Sequence, residues 1–333
     1  MSEYEPPYII ETDEPIQKNK FPIVAQLGVL AMILTVIFGS LVLQNSKKTQ
    51  TVTLPPEADL SATINAEPAI PQKISDISLT AKSAYVWDIK SQRVLFAKNA
   101  DSQMPLASIT KLMTALLAYE LIEQNERATI SMSAIRQEGS SGLSAGEKFS
   151  VNQLSELALV SSSNDAAYAL AASVGELLGD NDPAAQFISG MNIRAKELGL
   201  ETLEFKSTTG LDISELEAGA VGSARDVSFL MEYIITNYPE ILEPTQQPST
   251  RVYNTSGAYH EAANTNEAVQ NIPNMLGSKT GYTDLAGGNL TIAFDAGLDR
   301  PIIVTVLGST RHDRFEDVLK LVKAVQESVG QIN

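Results

Sequence analysis

The chain contains no cysteine, so neither a disulfide framework nor a thiolate metal site is open to it. It has only two histidines, His260 and His312, too few for a histidine-based metal cluster. A Ser-His-Asp triad would have to rest on one of them, and neither accompanies the glycine pattern of a nucleophile elbow. Basic residues are also scarce: 24 Lys and Arg stand against 40 Asp and Glu, a formal charge of −16. That balance excludes a basic nucleic-acid-binding surface and otherwise favours solubility. No internal repeat or Walker-type phosphate loop is present, and nothing calls for a metal or cofactor. What remains is a globular mixture, 44% apolar and 19% charged over 333 residues, long enough for one large or two smaller domains.

Residues 1–20 are polar and acidic. "IVAQLGVLAMILTVIFGSLVL", Ile23 to Leu43, then runs 21 residues without a charge. As a helix it would reach roughly 31 Å, the hydrocarbon thickness of a bilayer. A cleaved signal or a buried core helix would account for the same run. The acidic start, the length and the lack of a clean small-x-small site favour an uncleaved anchor over residues 21–45. Residues 46–77, with four prolines in "TVTLPPEADLSATINAEPAIPQ" and little periodicity, read as a flexible linker to a globular domain at 78–333. Lys18 and Lys20 precede the span while Lys47 and Lys48 follow it, so charge alone leaves its orientation open.

In the globular part, Ala84–Trp87 and Val94–Ala97 flank a polar turn as a β-hairpin, with Trp87 as a packing residue. Ser150 with Gln153 forms a capping box for a helix that ends in a serine-rich break before a second apolar helix. "GNLTIAFDA" and "RPIIVTVLGS" read as consecutive strands. A last helix opens at Asp313 and Glu316 with Phe315, Val318, Leu319, Val322 and Val325 on one face. Strands at both ends with helices between them imply a sheet whose terminal segments meet.

Three short polar elements interrupt this pattern. In "ASITKLMTALLAYE" Ser108 and Lys111 lie three apart at the start of an apolar helix, on one side of its first turn. A serine hydroxyl needs a base within hydrogen-bond reach, and lysine serves only if burial, the helix N-terminus or a second cation lowers its pKa. Alone, a pattern of this size arises by chance on the order of once per chain, and a polar helix start explains it equally. The second element is Ser162-Ser163-Asn164 in the break between helices. Ser162 could relay a proton to and from Lys111, and Asn164 could hold that lysine or a substrate amide; plain helix capping is the alternative. The third is Lys279-Thr280-Gly281, expected at the start of a strand and followed by Gly287 and Gly288. Its ammonium and hydroxyl suit a carboxylate, and Gly281 would let a substrate backbone approach the strand edge; a solvated turn fits as well.

Together, in this order, the elements match the signature shared by penicillin-binding proteins and class A β-lactamases, in which Asp is usual in the middle of the second. The surrounding text, from "VWDIKSQRVLFAKNADSQMPLASITKLMTALLAYE" through "GSSGLSAGEKFSVNQLSELALVSSSNDAA", "AKELGLETLEF", "SARDVSFLM" and "NTN" to "SKTGYTDLAGGNL", resembles the serine D-alanyl-D-alanine carboxypeptidases. These are the low-molecular-weight penicillin-binding proteins of peptidase family S11, and the likeness covers about residues 80–328. It implies a β-lactamase/transpeptidase-like α/β (α+β) fold, an antiparallel sheet flanked by helices plus a helical lobe. It also implies roles: Ser108 as acylated nucleophile, Lys111 as its proton acceptor, Ser162 in the proton relay and Asn164 in the cleft. Lys279 and Thr280 would receive the substrate's carboxylate, and the N–H groups of Ser108 and Tyr282 would form the oxyanion hole.

The partners implied are the D-Ala-D-Ala end of peptidoglycan stem peptides and β-lactams as covalent inhibitors, with the domain outside the cytoplasmic membrane and no cofactor. "STTGLD", residues 207–212, departs from the usual Asn-Pro before Gly-Leu, so that loop is expected to differ. A β-rich C-terminal domain and an amphipathic C-terminal helix, common in the family, are not expected, the N-terminal span serving as anchor. Endopeptidase action on cross-links uses the same residues. A class A β-lactamase is disfavoured because Glu201 stands where the Glu197-x-x-Leu200 loop would need asparagine. A silent wall-binding scaffold is disfavoured because all three elements are intact.

Overall fold

A computed structural model of the chain describes residues 73–330 except 76, 140, 180 and 181. The expected cytoplasmic segment, the Ile23–Leu43 span and nearly all of the linker lie outside the described residues. Among the described residues no helix is long and apolar enough to cross a membrane.

The chain opens with the hairpin β1 (Ser83–Asp88) and β2 (Arg93–Lys98), then β3 (Met104–Pro105), a 3₁₀ turn over Ala107–Thr110 and α1 (Lys111–Leu121). There follow β4 (Arg127–Thr129), β5 (Lys148–Ser150), α2 (Val151–Val160), α3 (Asn164–Gly175) and α4 (Pro183–Glu197). After β6 (Glu204–Phe205) and β7 (Ala220–Gly222) come α5 (Ala224–Asn237) and a second hairpin, β8 (Ser249–Tyr253) with β9 (Tyr259–Ala263). The long strands β10 (Met275–Thr283), β11 (Gly287–Asp295) and β12 (Pro301–Ser309) lead into α6 (Asp313–Gly330).

The main sheet runs β10-β11-β12-β1-β2 with antiparallel pairing throughout, so the first and last strands of the domain meet as expected. Period-2 alternation splits its side chains between two cores. Tyr85 and Trp87 of β1, with Ile303 and Leu307 of β12, join the helical lobe. Ala84, Val86, Ile302, Val304 and Val306 face the other way, against α6. Trp87 is a packing residue, stacked near Tyr85, with its N–H donating to Glu232 Oε2 at 2.8 Å. On α6 the buried stripe is Phe315, Val318, Leu321, Val322 and Val325. Leu321 takes a place expected of Leu319, which is only partly buried because the helix turns that side toward solvent.

One local expectation is met in atomic detail and two boundaries move. Ser150 and Gln153 form the reciprocal capping box at the start of α2. The domain begins earlier than residue 78: Ile74 is buried and its N–H donates to Leu95 O at 2.9 Å, extending the cover over the second core. Lys279-Thr280-Gly281 lies well inside β10 rather than at its start, because Met275 to Ser278 already pair with β11.

Helix α1 explains why a lysine can be dry. Every residue from Lys111 to Ala118 is buried, as for a helix enclosed on all sides by neighbours, here α2, α3, α4 and α5. Leu112 and Leu116, fully buried, each contribute ~1.5–3 kcal/mol to holding that axis in place.

Candidate active site

The turn that carries Ser108 is clamped on three sides. Ala107 has φ +49°, a left-handed conformation that costs a non-glycine residue ~1–3 kcal/mol and persists only where surroundings enforce it. Asn289 of β11 enforces it from below, its Nδ2 donating to Pro105 O at 2.9 Å and Leu106 O at 3.0 Å. Leu106 N–H donates to Ala220 O of β7 at 2.9 Å. On the third side sits Gly210, φ +82°, where a Cβ would come within 1.9 Å of Ala107 O. Only glycine fits there.

The result aims Ser108 at Lys111. Lys111 Nζ lies 2.8 Å from Ser108 Oγ, 2.7 Å from Asn164 Oδ1 and 2.8 Å from Thr209 O. Its complete burial lowers its pKa from 10.5 to about 7, so the neutral amine is well populated at neutral pH. A neutral amine has two N–H donors and one lone pair. Asn164 Oδ1 and Thr209 O take the two hydrogens, which leaves the lone pair for the Ser108 hydroxyl. An amine so placed can accept that proton.

Adjacent serines divide two tasks that the sequence left as alternatives. Ser163 caps α3, its Oγ accepting from Ala166 N–H at 3.0 Å. Ser162, at φ +59°, turns instead toward β10, where Lys279 Nζ donates to its Oγ at 2.9 Å. The direct partner of Ser162 is therefore Lys279, not Lys111 as the relay expectation had it, because Asn164 and Thr209 already saturate Lys111. Lys279 also donates to Thr280 O at 2.9 Å. It is buried, and burial first, then the positive charges of Lys111 and Arg314, hold its pKa well below the usual lysine range. Two buried lysines and Arg314, each disfavouring the others' charge, favour any ligand that brings a negative charge. Thr280 Oγ1 lies 2.6 Å from Thr265 Oγ1 in the "NTN" segment.

Asn164 and Gly281 both make close contacts within the protein. Asn164 takes the first of its two expected roles, holding the lysine: Oδ1 accepts from Lys111 and Nδ2 donates to Glu138 O at 2.7 Å. Gly281 makes room for the protein's own nucleophile turn. A Cβ there would meet Leu106 O at 2.7 Å and Ile109 N at 3.2 Å. Tyr282 follows, partly exposed, with Arg311 5.1 Å over its ring. Both border a cleft of about 880 Å³ together with Asn164, Glu138, Asp212 and Asp284.

Ser108, Lys111, Ser162, Asn164, Lys279, Thr280, Gly281 and Tyr282 thus form one connected cluster. Sequence reasoning missed Thr209, Thr265, Asn289 and Arg314. Thr209 acts through its main-chain carbonyl, which side-chain identity does not advertise. It lies in the "STTGLD" departure, where Ser207 Oγ accepts from the N–H groups of Thr209 and Gly210 at 3.1 and 3.2 Å and shapes the loop. Asn289 and Thr265 sit inside stretches that carried the resemblance, but no spacing rule singled them out.

Comparison with known proteins agrees with this geometry. Residues 68–311 match the D-alanyl-D-alanine carboxypeptidase family model. The chain is 30% identical over 257 residues to the D-alanyl-D-alanine carboxypeptidase DacF of Bacillus subtilis, covering 75% of this chain but 63% of that protein's length. It is 28% identical over 261 residues to a D-alanyl-D-alanine endopeptidase of Pseudomonas aeruginosa, covering 76% of this chain and 79% of that one. Among solved structures, the ampicillin-bound penicillin-binding protein D2 of Listeria monocytogenes superposes with a TM-score of 0.62 at 30% identity, over 76% of this chain and 99% of that one. The fold is that of the penicillin-binding proteins, and the chain belongs to the D-alanyl-D-alanine carboxypeptidase family.

Proposed function

We propose that this protein is a serine D-Ala-D-Ala carboxypeptidase that removes the terminal D-alanine from peptidoglycan stem peptides through an acyl-Ser108 intermediate. The observation that carries the reading is the buried Lys111 amine, with Ser108 Oγ at 2.8 Å and its other two contacts both acceptors. Ser108 Oγ attacks the carbonyl of the penultimate D-alanine as its proton passes to Lys111. The N–H groups of Ser108 and Tyr282 hold the resulting oxyanion; a preorganised donor of this kind is worth ~3–4 kcal/mol. Ser162, whose oxygen accepts from Lys279, keeps its own proton to donate to the departing nitrogen. Free D-alanine leaves and the proton held by Lys111 passes back to Ser162, restoring both groups. Water then attacks the Ser108 ester with Lys111 again as base, the proton returns to Ser108 Oγ, and the shortened peptide is released.

Lys279, assisted by the Thr280 hydroxyl, receives the substrate's terminal carboxylate, whose negative charge favours the ammonium form. β-Lactams, which present an acylating carbonyl and a carboxylate together, acylate the same serine. The role that follows is peptidoglycan maturation and control of cell shape. It requires the catalytic domain outside the cytoplasmic membrane, with residues 1–20 inside and Ile23–Leu43 spanning.

The test is release of D-alanine from a pentapeptide together with labelling by a fluorescent penicillin. Both are expected in the unsubstituted protein and both should vanish in Ser108→Ala. Labelling that persists in Ser108→Ala removes Ser108 from the mechanism. A second reading, endopeptidase action on D-alanine cross-links, draws support from the Pseudomonas relative, whose length the chain covers more fully than that of DacF. Cleavage of cross-linked dimers without D-alanine release from the pentapeptide would select it.

A further inference from the structure

Given the acyl-Ser108 chemistry proposed above, we infer that Arg314 is a positioning residue for the oxyanion hole, fixing and polarising the peptide unit that carries the Tyr282 N–H. Arg314 stands in the first turn of α6, buried, and its Nη1 donates to Gly281 O at 2.7 Å. The Gly281 carbonyl and the Tyr282 N–H are the two ends of one planar trans peptide. A guanidinium that holds the carbonyl therefore also sets the direction of the N–H, which points the opposite way. A charge-assisted bond is roughly twice as strong as a neutral one, and pulling electrons toward the oxygen makes the N–H at the other end a better donor.

The surroundings make this peptide worth holding. Strand β10 is at the edge of the sheet, with a partner strand on one side only. Its Gly281 lies against the turn that supplies the other donor, a Cβ there falling 2.7 Å from Leu106 O and 3.2 Å from Ala107 Cβ. The same stretch of chain grips the next residue, Arg311 sitting 5.1 Å over the Tyr282 ring. Arg314 is not there to complete a saturated hydrogen-bond network, for its buried Nε has no hydrogen-bond partner. Burial even pushes its pKa down to about 10, so the cation is kept at some cost. Its guanidinium also lies near enough to Lys279 to lower that lysine's pKa, so a direct role toward the substrate carboxylate is the competing assignment.

The carbonyl stretch of the acyl-enzyme separates the two. Infrared difference spectra of the full chain acylated by penicillin report hydrogen bonding to the Ser108 ester carbonyl, which sits in the oxyanion hole. In Arg314→Met the band is expected at higher wavenumber, with acylation slowed about tenfold or more, less than the ~10²–10³ lost when a donor is removed outright. Arg314→Lys, which keeps the cation, should return the band part of the way. If Arg314→Met does not fold, Arg314→Gln carries the same test, with a smaller upward shift expected. An unmoved band in a folded variant that acylates overturns the inference, and does so equally if discrimination between acid and amide peptides is what collapses. Absence of any acyl-enzyme in the unsubstituted protein overturns the function and this inference together.

Discussion

Replacing Asn164 with aspartate would put a carboxylate where an amide oxygen now lies, 2.7 Å from the Lys111 amine. In the native site burial alone lowers the Lys111 pKa from 10.5 to about 7. At pH 7 about half of the amine is then neutral, against roughly 0.03% for an ordinary lysine, a ~10³-fold gain in available base. Acylation should follow that fraction: a plateau above pH 8, a midpoint near 7 and a fall of about tenfold per unit below it. An opposite charge within ~4–6 Å stabilises the ammonium by ~1–3 pKa units. Asn164→Asp should therefore move the midpoint to about pH 8–10 and slow acylation at pH 7 by about 5- to 500-fold, with recovery in alkali. Asn164→Ala, which adds no charge, should not move the midpoint upward. Rates of fluorescent-penicillin labelling from pH 5 to 10 decide the matter. A native profile flat from pH 5 to 8 refutes Lys111 as the titrating base. An Asn164→Asp profile lowered equally at every pH refutes the Asn164–Lys111 coupling and returns Asn164 to the substrate.

The same depressed pKa makes the unfolded chain bind the extra proton between about pH 7 and 10.5, so Lys111 adds stability as pH rises through that window. Urea melts should show a gain of about 2 kcal/mol from pH 7 to 9 that is missing in Lys111→Met; equal slopes in the two proteins would contradict the burial argument. Gly210→Ala forces a Cβ to 1.9 Å from Ala107 O at φ +82°. It should lower the melting temperature and abolish acylation together, and a variant with native activity would show that the Ser108 turn is not clamped there. A pentapeptide amide should turn over about 10- to 150-fold more slowly than the acid if Lys279 and Thr280 read the carboxylate, from the ~1.5–3 kcal/mol of a charge-assisted bond. Equal rates favour the endopeptidase reading. Protease added to intact spheroplasts should release a penicillin-binding fragment of roughly the 73–330 domain; protection until lysis would reverse the proposed orientation.

Sequence by itself determined whatever depends on neighbours along the chain. The β1–β2 hairpin follows from alternation around a polar turn. The capping box at Ser150 follows from two side chains three residues apart, and the α6 stripe from a 3.6-residue period. Ser108 and Lys111 were legible as a pair for the same reason, since one turn of helix brings them together. The order of the three polar elements sufficed to bring the family into view. Tertiary structure decided what those residues touch. Asn164 meets Lys111 across 53 positions, Thr209 meets it across 98, and Ser162 meets Lys279 across 117. No periodicity reports such pairs, because they are set by how helices and the sheet pack. An asparagine on a cleft wall reads the same whether its amide faces a lysine or a ligand. Gly281 likewise permits close approach without naming what approaches, and the packing filled that space with the Ser108 turn. The proton affinity of Lys111 is decided last of all, because only a closed lobe around α1 removes the water that would otherwise keep it charged.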